Sequence, residues 1–132
     1  LQNPPTCFCG SDSVFAYCCQ NFLVGTAVAE SAERLLRTRY CAYVLKNHAY
    51  LLATWHPATR PSSINSLKGP PIQWLRLKLI RQDTEPGLAN TGHIEFTAYY
   101  KLNGKAYKLH ETSVFKYEHG RWFYLEAKNT DS

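Results

Sequence analysis

His93-Ile94-Glu95-Phe96-Thr97-Ala98-Tyr99-Tyr100-Lys101 alternates with period two, Ile94, Phe96, Ala98 and Tyr100 standing against His93, Glu95, Thr97 and Tyr99. Successive side chains of an extended chain leave on opposite faces, so this segment predicts a strand with one dry face and one wet one. The same period appears in Gln73–Arg81, where Leu75, Leu77 and Leu79 alternate with Arg76 and Lys78. It appears again in Lys105–Tyr117, where Tyr107, Leu109 and Phe115 oppose Lys108, His110 and Lys116. Leu102-Asn103-Gly104 reads as a hairpin turn, and His119-Gly120 turns the chain into a last strand, Arg121–Glu126. Half-polar strands joined this closely pair antiparallel and need cover on one face only.

Upstream of Pro71 the period lengthens to that of a helix. Ala27–Asn47 has no Pro or Gly, and Leu35, Leu36, Tyr40, Tyr43 and Val44 keep helical spacing. A second helix, His48–Trp55, stops before Pro57, because a proline pushes its predecessor away from helical angles. A loop rich in Pro, Ser and Gly spans 58–71, and 83–92, which holds Pro86 and two glycines, reads as disordered together with the termini. Helices followed by a run of strands give an α+β domain with the helices on one face of a curved antiparallel sheet.

Four cysteines crowd the beginning of the chain, Cys7-Phe8-Cys9 and Cys18-Cys19, with Gly10-Ser11-Asp12-Ser13 able to turn the chain back between them. Four thiolates converging on one centre suit zinc, which accepts sulfur at about 2.3 Å without a geometric preference of its own. With four protein ligands such a site is closed and structural. Paired disulfides are the rival use of the same residues. Against them stand the missing basic and apolar leader pattern in Leu1-Gln2-Asn3-Pro4-Pro5 and a chain long enough to build its own core. Cys41, in mid-helix, reads as a small packing residue.

The 132 residues, 45% of them hydrophobic, suit one compact domain with a small appendage, and no apolar run reaches the roughly 20 residues that span a bilayer. A soluble cytoplasmic protein is expected, in a reducing compartment that keeps thiolates free for metal. The net charge of +5 is spread without a dense basic run, which argues against nucleic acid as the partner.

On the third strand Glu111 and Ser113 share parity with Tyr107, Leu109 and Phe115, so both should point inward. A buried carboxylate needs a cation, donors or a solvated pocket. Two readings follow. In one, Glu111 completes a structural ion pair with Arg37 or Arg39. In the other, Arg39, Tyr40, Trp55, His56, Glu111 and Ser113 form a ligand pocket, with Tyr40 and Trp55 as walls. An enzyme built on that pocket would use Glu111 as general base and Arg39 or His56 to stabilise an oxyanion.

Cys7-x-Cys9-Gly10-Ser11, then Cys18-Cys19 after six residues, resembles the SEC-C zinc motif of the SecA translocation ATPase tail. Where that motif carries basic residues, this chain has Asp12, Ser13, Val14, Phe15, Ala16 and Tyr17. The resemblance implies a structural zinc on Cys7, Cys9, Cys18 and Cys19 and a protein partner such as a chaperone, translocation or ribosomal component. Further matches are Arg37-Thr38-Arg39-Tyr40-Cys41-Ala42-Tyr43, Tyr50-Leu51, Thr54-Trp55-His56-Pro57, Glu111-x-Ser113-x-Phe115 and Trp122-Phe123-Tyr124. With these the chain resembles the YchJ-like family of uncharacterised bacterial proteins. Membership implies a SEC-C motif over 1–25 and a cone-shaped, nuclear-transport-factor-two-like (cystatin-like) domain over 26–128. The function expected is a zinc-binding protein- or peptide-interaction module with a small-ligand pocket, and a Glu111-centred enzyme is the alternative.

Overall fold

The computed structural model describes residues 5–64, 71–83 and 90–128. A 3-10 turn (Phe15–Tyr17) and a short helix α1 (Gln20–Leu23) precede α2 (Ala32–Leu45) and α3 (His48–Ala53). Four strands follow: β1 (Ile72–Asp83), β2 (Thr91–Leu102), β3 (Lys105–Glu118) and β4 (Arg121–Lys128). Residues 84–89 of the segment expected to be disordered, 65–70 of the long loop, and both chain ends lie outside the described residues.

Local chemistry sets the boundaries. The Ser31 hydroxyl accepts from the Arg34 N–H at 3.0 Å, so α2 begins after Ser31 rather than at Ala27. It ends where Lys46 takes a left-handed conformation (φ 58°), and Asn47 then caps α3 by accepting from the Tyr50 N–H at 3.1 Å. Trp55 leaves the helical path and forms a parallel bridge with Tyr124 on β4, so α3 is two residues shorter than its sequence suggests. Asn103-Gly104 and His119-Gly120 all have positive φ, between 54° and 81°. Two-residue turns matched to strand twist require that geometry, and each closes a hairpin.

The sheet is therefore an antiparallel meander in the order β1-β2-β3-β4. Its β1–β2 register shifts twice, between Trp74 and Arg76 and between Leu79 and Arg81. Each extra residue reverses the parity of the strand beyond it and adds local bend and twist. Trp74, Leu77, Leu79 and Gln82 consequently stand opposite the inward residues Tyr100, Ala98, Phe96 and Ile94. Leu75, expected on the dry face, sits at a bulge and is 44% exposed, and Trp74 takes its place. The concave face holds α2 through Leu35, Leu36, Tyr40, Ile94, Phe96 and Phe115, the centre of the core. Toward the open end of the sheet Tyr107 and Leu109 remain 40% exposed. Among the described residues no helix is long and apolar enough to cross a membrane.

Candidate metal centre and cavity

A narrow loop brings the first two thiols round. Cys7 N–H donates to Ser13 O at 2.7 Å, Phe15 N–H to Pro5 O at 3.0 Å, and Thr6 bridges Val14. Gly10 turns this loop at φ +83°, where a Cβ would also sit 3.3 Å from the Leu77 carbonyl oxygen. The 3-10 turn and α1 then return Cys18 and Cys19 to the same point. The four Sγ atoms of Cys7, Cys9, Cys18 and Cys19 lie within 4.8 Å of one another and all four residues are buried. Cys9 and Cys18 sulfurs are 3.7 Å apart and those of Cys18 and Cys19 4.0 Å. A tetrahedral centre with metal–sulfur bonds of about 2.3 Å has edges of about 3.8 Å, so the donor set fits a metal of that size. All five cysteines are free thiols.

Helix α2 supplies the rest of the setting. Arg34 Nη1 donates to the Cys18 sulfur at 3.1 Å and reaches Cys19 at 3.9 Å, while Ser11 Oγ lies 3.2 Å from Cys18. Arg37 Nη1 donates to Cys9 O at 2.6 Å and is steadied by Glu33 at 3.0 Å, which Gln82 holds in turn at 2.7 Å. Burial alone would lower the Arg34 pKa, yet the sulfurs of Cys18 and Cys19 together outweigh it and hold the guanidinium above its ordinary value. Two cations beside four sulfurs offset the excess negative charge that four thiolates leave on a divalent ion. The fifth thiol, Cys41, is fully buried 3.5 Å from the Cys7 sulfur. Sequence reasoning missed that Arg34 flanks this centre and that Cys41, buried as expected, packs against it. Their signal is the spacing of Arg34, Arg37 and Cys41 at i, i+3 and i+7, which puts all three on one helical face.

The opposite face of α2, with Leu36, Arg39, Tyr40 and Tyr43, roofs a cavity of about 260 Å³ over the concave sheet. Glu111, Ser113 and Tyr124 supply its polar lining among Trp74, Phe96 and Phe115. The Glu111 carboxylate accepts from Ser113 Oγ at 3.2 Å, and burial pushes its pKa above the usual carboxylate value. Burial also lifts the phenols of Tyr40 and Tyr124 to about 12, so both stay protonated donors at neutral pH. Arg39 does not pair with Glu111. Its Nη1 donates to Leu51 O and to Thr54 Oγ1, both at 2.7 Å, and its guanidinium lies over the rings of Trp55 and Tyr124.

The family model described as "YchJ, middle NTF2-like domain" matches residues 31–127. The chain belongs to the YchJ-like family. It is 44% identical over 126 residues to a UPF0225 protein of Methylibium petroleiphilum, covering 95% of this chain and 89% of that one. A UPF0225 protein of Streptomyces coelicolor is 40% identical over 129 residues, covering 96% and 98% of the two chains. The solution structure of a SEC-C motif containing protein from Rhodopseudomonas palustris is similar throughout, with a TM-score of 0.84 and 29% identity over 96% of this chain and 100% of that one. A crystal structure of a SEC-C motif containing protein from Psychrobacter arcticus has a TM-score of 0.78 and 26% identity, over 96% and 84%.

In this YchJ-like chain two residues expected in the pocket stand elsewhere. Trp55 lies behind Arg39, edge-on to Tyr124 at 5.0 Å between centroids, with its indole N–H buried and unpartnered among the described residues. His56 is tied to β4 by its N–H on Tyr124 O at 2.8 Å, and its ring pairs with Glu118 at 3.2 Å and packs on Phe123. The bridge that ends α3 carries both away from the cavity. Arg37, the other candidate partner for Glu111, points to the cysteine loop. Of the six, Arg39, Tyr40, Glu111 and Ser113 line the YchJ-like cavity.

Proposed function

We propose that this chain is a zinc-stapled module that binds a protein or peptide through its cysteine knot. The observation that carries the reading is a contrast of burial within the first twenty-eight residues. Every sulfur is inside, while Tyr17 (85% exposed), Val24 (64%), Val28 and Phe8 point outward. A closed four-thiolate site has no position for substrate, and thiolates select zinc over magnesium or calcium. The metal then serves to hold an apolar surface that the short segment could not otherwise fix. A partner of the chaperone, translocation or ribosomal kind would be met by apolar contact, since Asp12 to Tyr17 brings no cation. Free thiols at metal-ligand spacing suit the reducing cytoplasm. The double variant Tyr17→Ser/Val24→Ser should keep one zinc per chain and lose about tenfold or more in affinity for apolar peptides by fluorescence anisotropy. Unchanged affinity would remove the knot surface from the reading.

The Glu111 cavity supports a second reading, a small-molecule enzyme or ligand pocket. A carboxyl raised above its usual value beside two phenolic donors is the arrangement that general acid–base chemistry uses. Turnover of a substrate panel that falls about 100-fold or more in Glu111→Gln would support it. Activity indifferent to that change would sink it.

A further inference from the structure

The geometry points to Cys41 as an alternate ligand of the metal centre, able to take the place of Cys7. This rests on the zinc reading of Cys7, Cys9, Cys18 and Cys19. Cys41 Sγ stands 3.5 Å from Cys7 Sγ, close to the roughly 3.8 Å edge of a four-sulfur tetrahedron and far beyond the roughly 2.05 Å of a disulfide. Cys41 is 0% exposed and lies in one buried cluster with the four other cysteines, directly beside the set of four sulfurs that stand within 4.8 Å of one another.

The ligands differ in how they are held. Arg37 clamps the carbonyl of Cys9, and Arg34 and Ser11 engage the sulfur of Cys18. Cys19 is the residue from which α1 starts. Cys7 is held through Ser13 and the Thr6–Val14 bridge, and its sulfur meets the backbone N–H groups of Cys9 and Cys19, none of them on α2. Cys41 sits two turns beyond Arg34 in the middle of a fourteen-residue helix. Cys7 is thus the ligand that no arginine of α2 engages, and it lies against the thiol that α2 itself carries. In the exchange the metal–sulfur bond to Cys7 breaks as the one to Cys41 forms. The Cys41 proton passes to the Cys7 sulfur, so coordination number and net charge are conserved and no oxidant is required. The exchange bonds the metal to α2 directly and frees the thiol of Cys7.

The test compares full-length wild type, Cys7→Ser, Cys41→Ser, Cys7→Ser/Cys41→Ser and Cys9→Ser. Zinc per chain is measured by elemental mass spectrometry, and cobalt(II) substitution reports the number of thiolates through its sulfur-to-metal charge-transfer and ligand-field bands. Cys7→Ser and Cys41→Ser should each hold one metal with a four-thiolate cobalt spectrum. The double variant should show three thiolates or fewer and compete with a chelator about 100-fold more weakly. A Cys7→Ser protein that already matches the double variant overturns the proposal. Wild type that binds no zinc overturns the underlying zinc reading instead. Should Cys7→Ser fold poorly, zinc-loaded wild type is alkylated briefly with iodoacetamide and weighed under native conditions. Chains labelled on Cys7 should retain zinc. Zinc lost from those chains, or Cys7 as fully protected as Cys9, overturns the exchange.

Discussion

Arg39 is a buried cation whose partners are a carbonyl, a hydroxyl and two aromatic faces. The carbonyl is Leu51 O, in the last turn of α3, one of the oxygens that a helix end leaves without an internal donor. Arg39→Ala removes two charge-assisted bonds and leaves that oxygen with only the Thr54 hydroxyl at 3.4 Å, so it should lower stability by about 3 kcal/mol or more, read as a fall in the urea midpoint at constant m. Arg39→Lys should recover little, because an ammonium neither forks nor stacks as a guanidinium does. Glu111 behaves in the opposite sense. Its pKa is raised on folding, so its contribution is fully present below the unfolded value of about 4.3 and is lost as pH rises through the folded value. Glu111→Gln should raise the melting temperature at pH 7 to 8 and lose that advantage near pH 4, by calorimetry. The inward parity of Glu111 and Ser113 was legible in their alternation with Leu109 and Phe115. That Arg39 turns to α3 was not, because its acceptors belong to a helix end placed by the crossing of Trp55 and Tyr124.

Helix α2 works on two faces at once. Arg34, Arg37 and Cys41 meet the cysteine knot, and Leu36, Arg39, Tyr40 and Tyr43 roof the cavity. Arg34→Ala should leave the fold intact and weaken metal retention by about 10- to 100-fold in a chelator competition, as loss of an outer-sphere partner does. Gly10→Ala should cost about 1 to 2 kcal/mol in metal-loaded protein, since a Cβ is strained at that φ and crowds Leu77 O. Both hairpin turns and the meander could be read directly, because Asn103-Gly104 and His119-Gly120 act within four residues. The bulges in β1 could not. Alternation of Leu75, Leu77 and Leu79 is the stronger local pattern, and only packing against Tyr100 and α2 selects Trp74 over Leu75.

At the scale of the whole molecule the layer arrangement follows from period alone, helices at 3.6 and strands at 2, and so the fold was the most legible property. The cysteine knot and the domain are less separable than their sequences suggest, because thiols, guanidinium groups and a carbonyl cross between residues 7–19 and α2. Removal of metal by a chelator should therefore cost amide protection in residues 7–25 and in the turns of α2 from Arg34 to Cys41, while β2 and β3 stay protected. Hydrogen exchange followed by mass spectrometry distinguishes this from loss confined to the knot.

The parallel bridge between Trp55 and Tyr124 also imposes an order in time. A chain made from its N-terminus presents all five thiols long before Leu77, Phe115 and Tyr124 exist to hold α2 against them. At about 5–20 residues per second, the stretch from Cys19 to Tyr124 takes on the order of ten seconds. Through that interval the thiols stand uncovered, so an ion or oxidant present during synthesis reaches them before the packing of α2 on the sheet can.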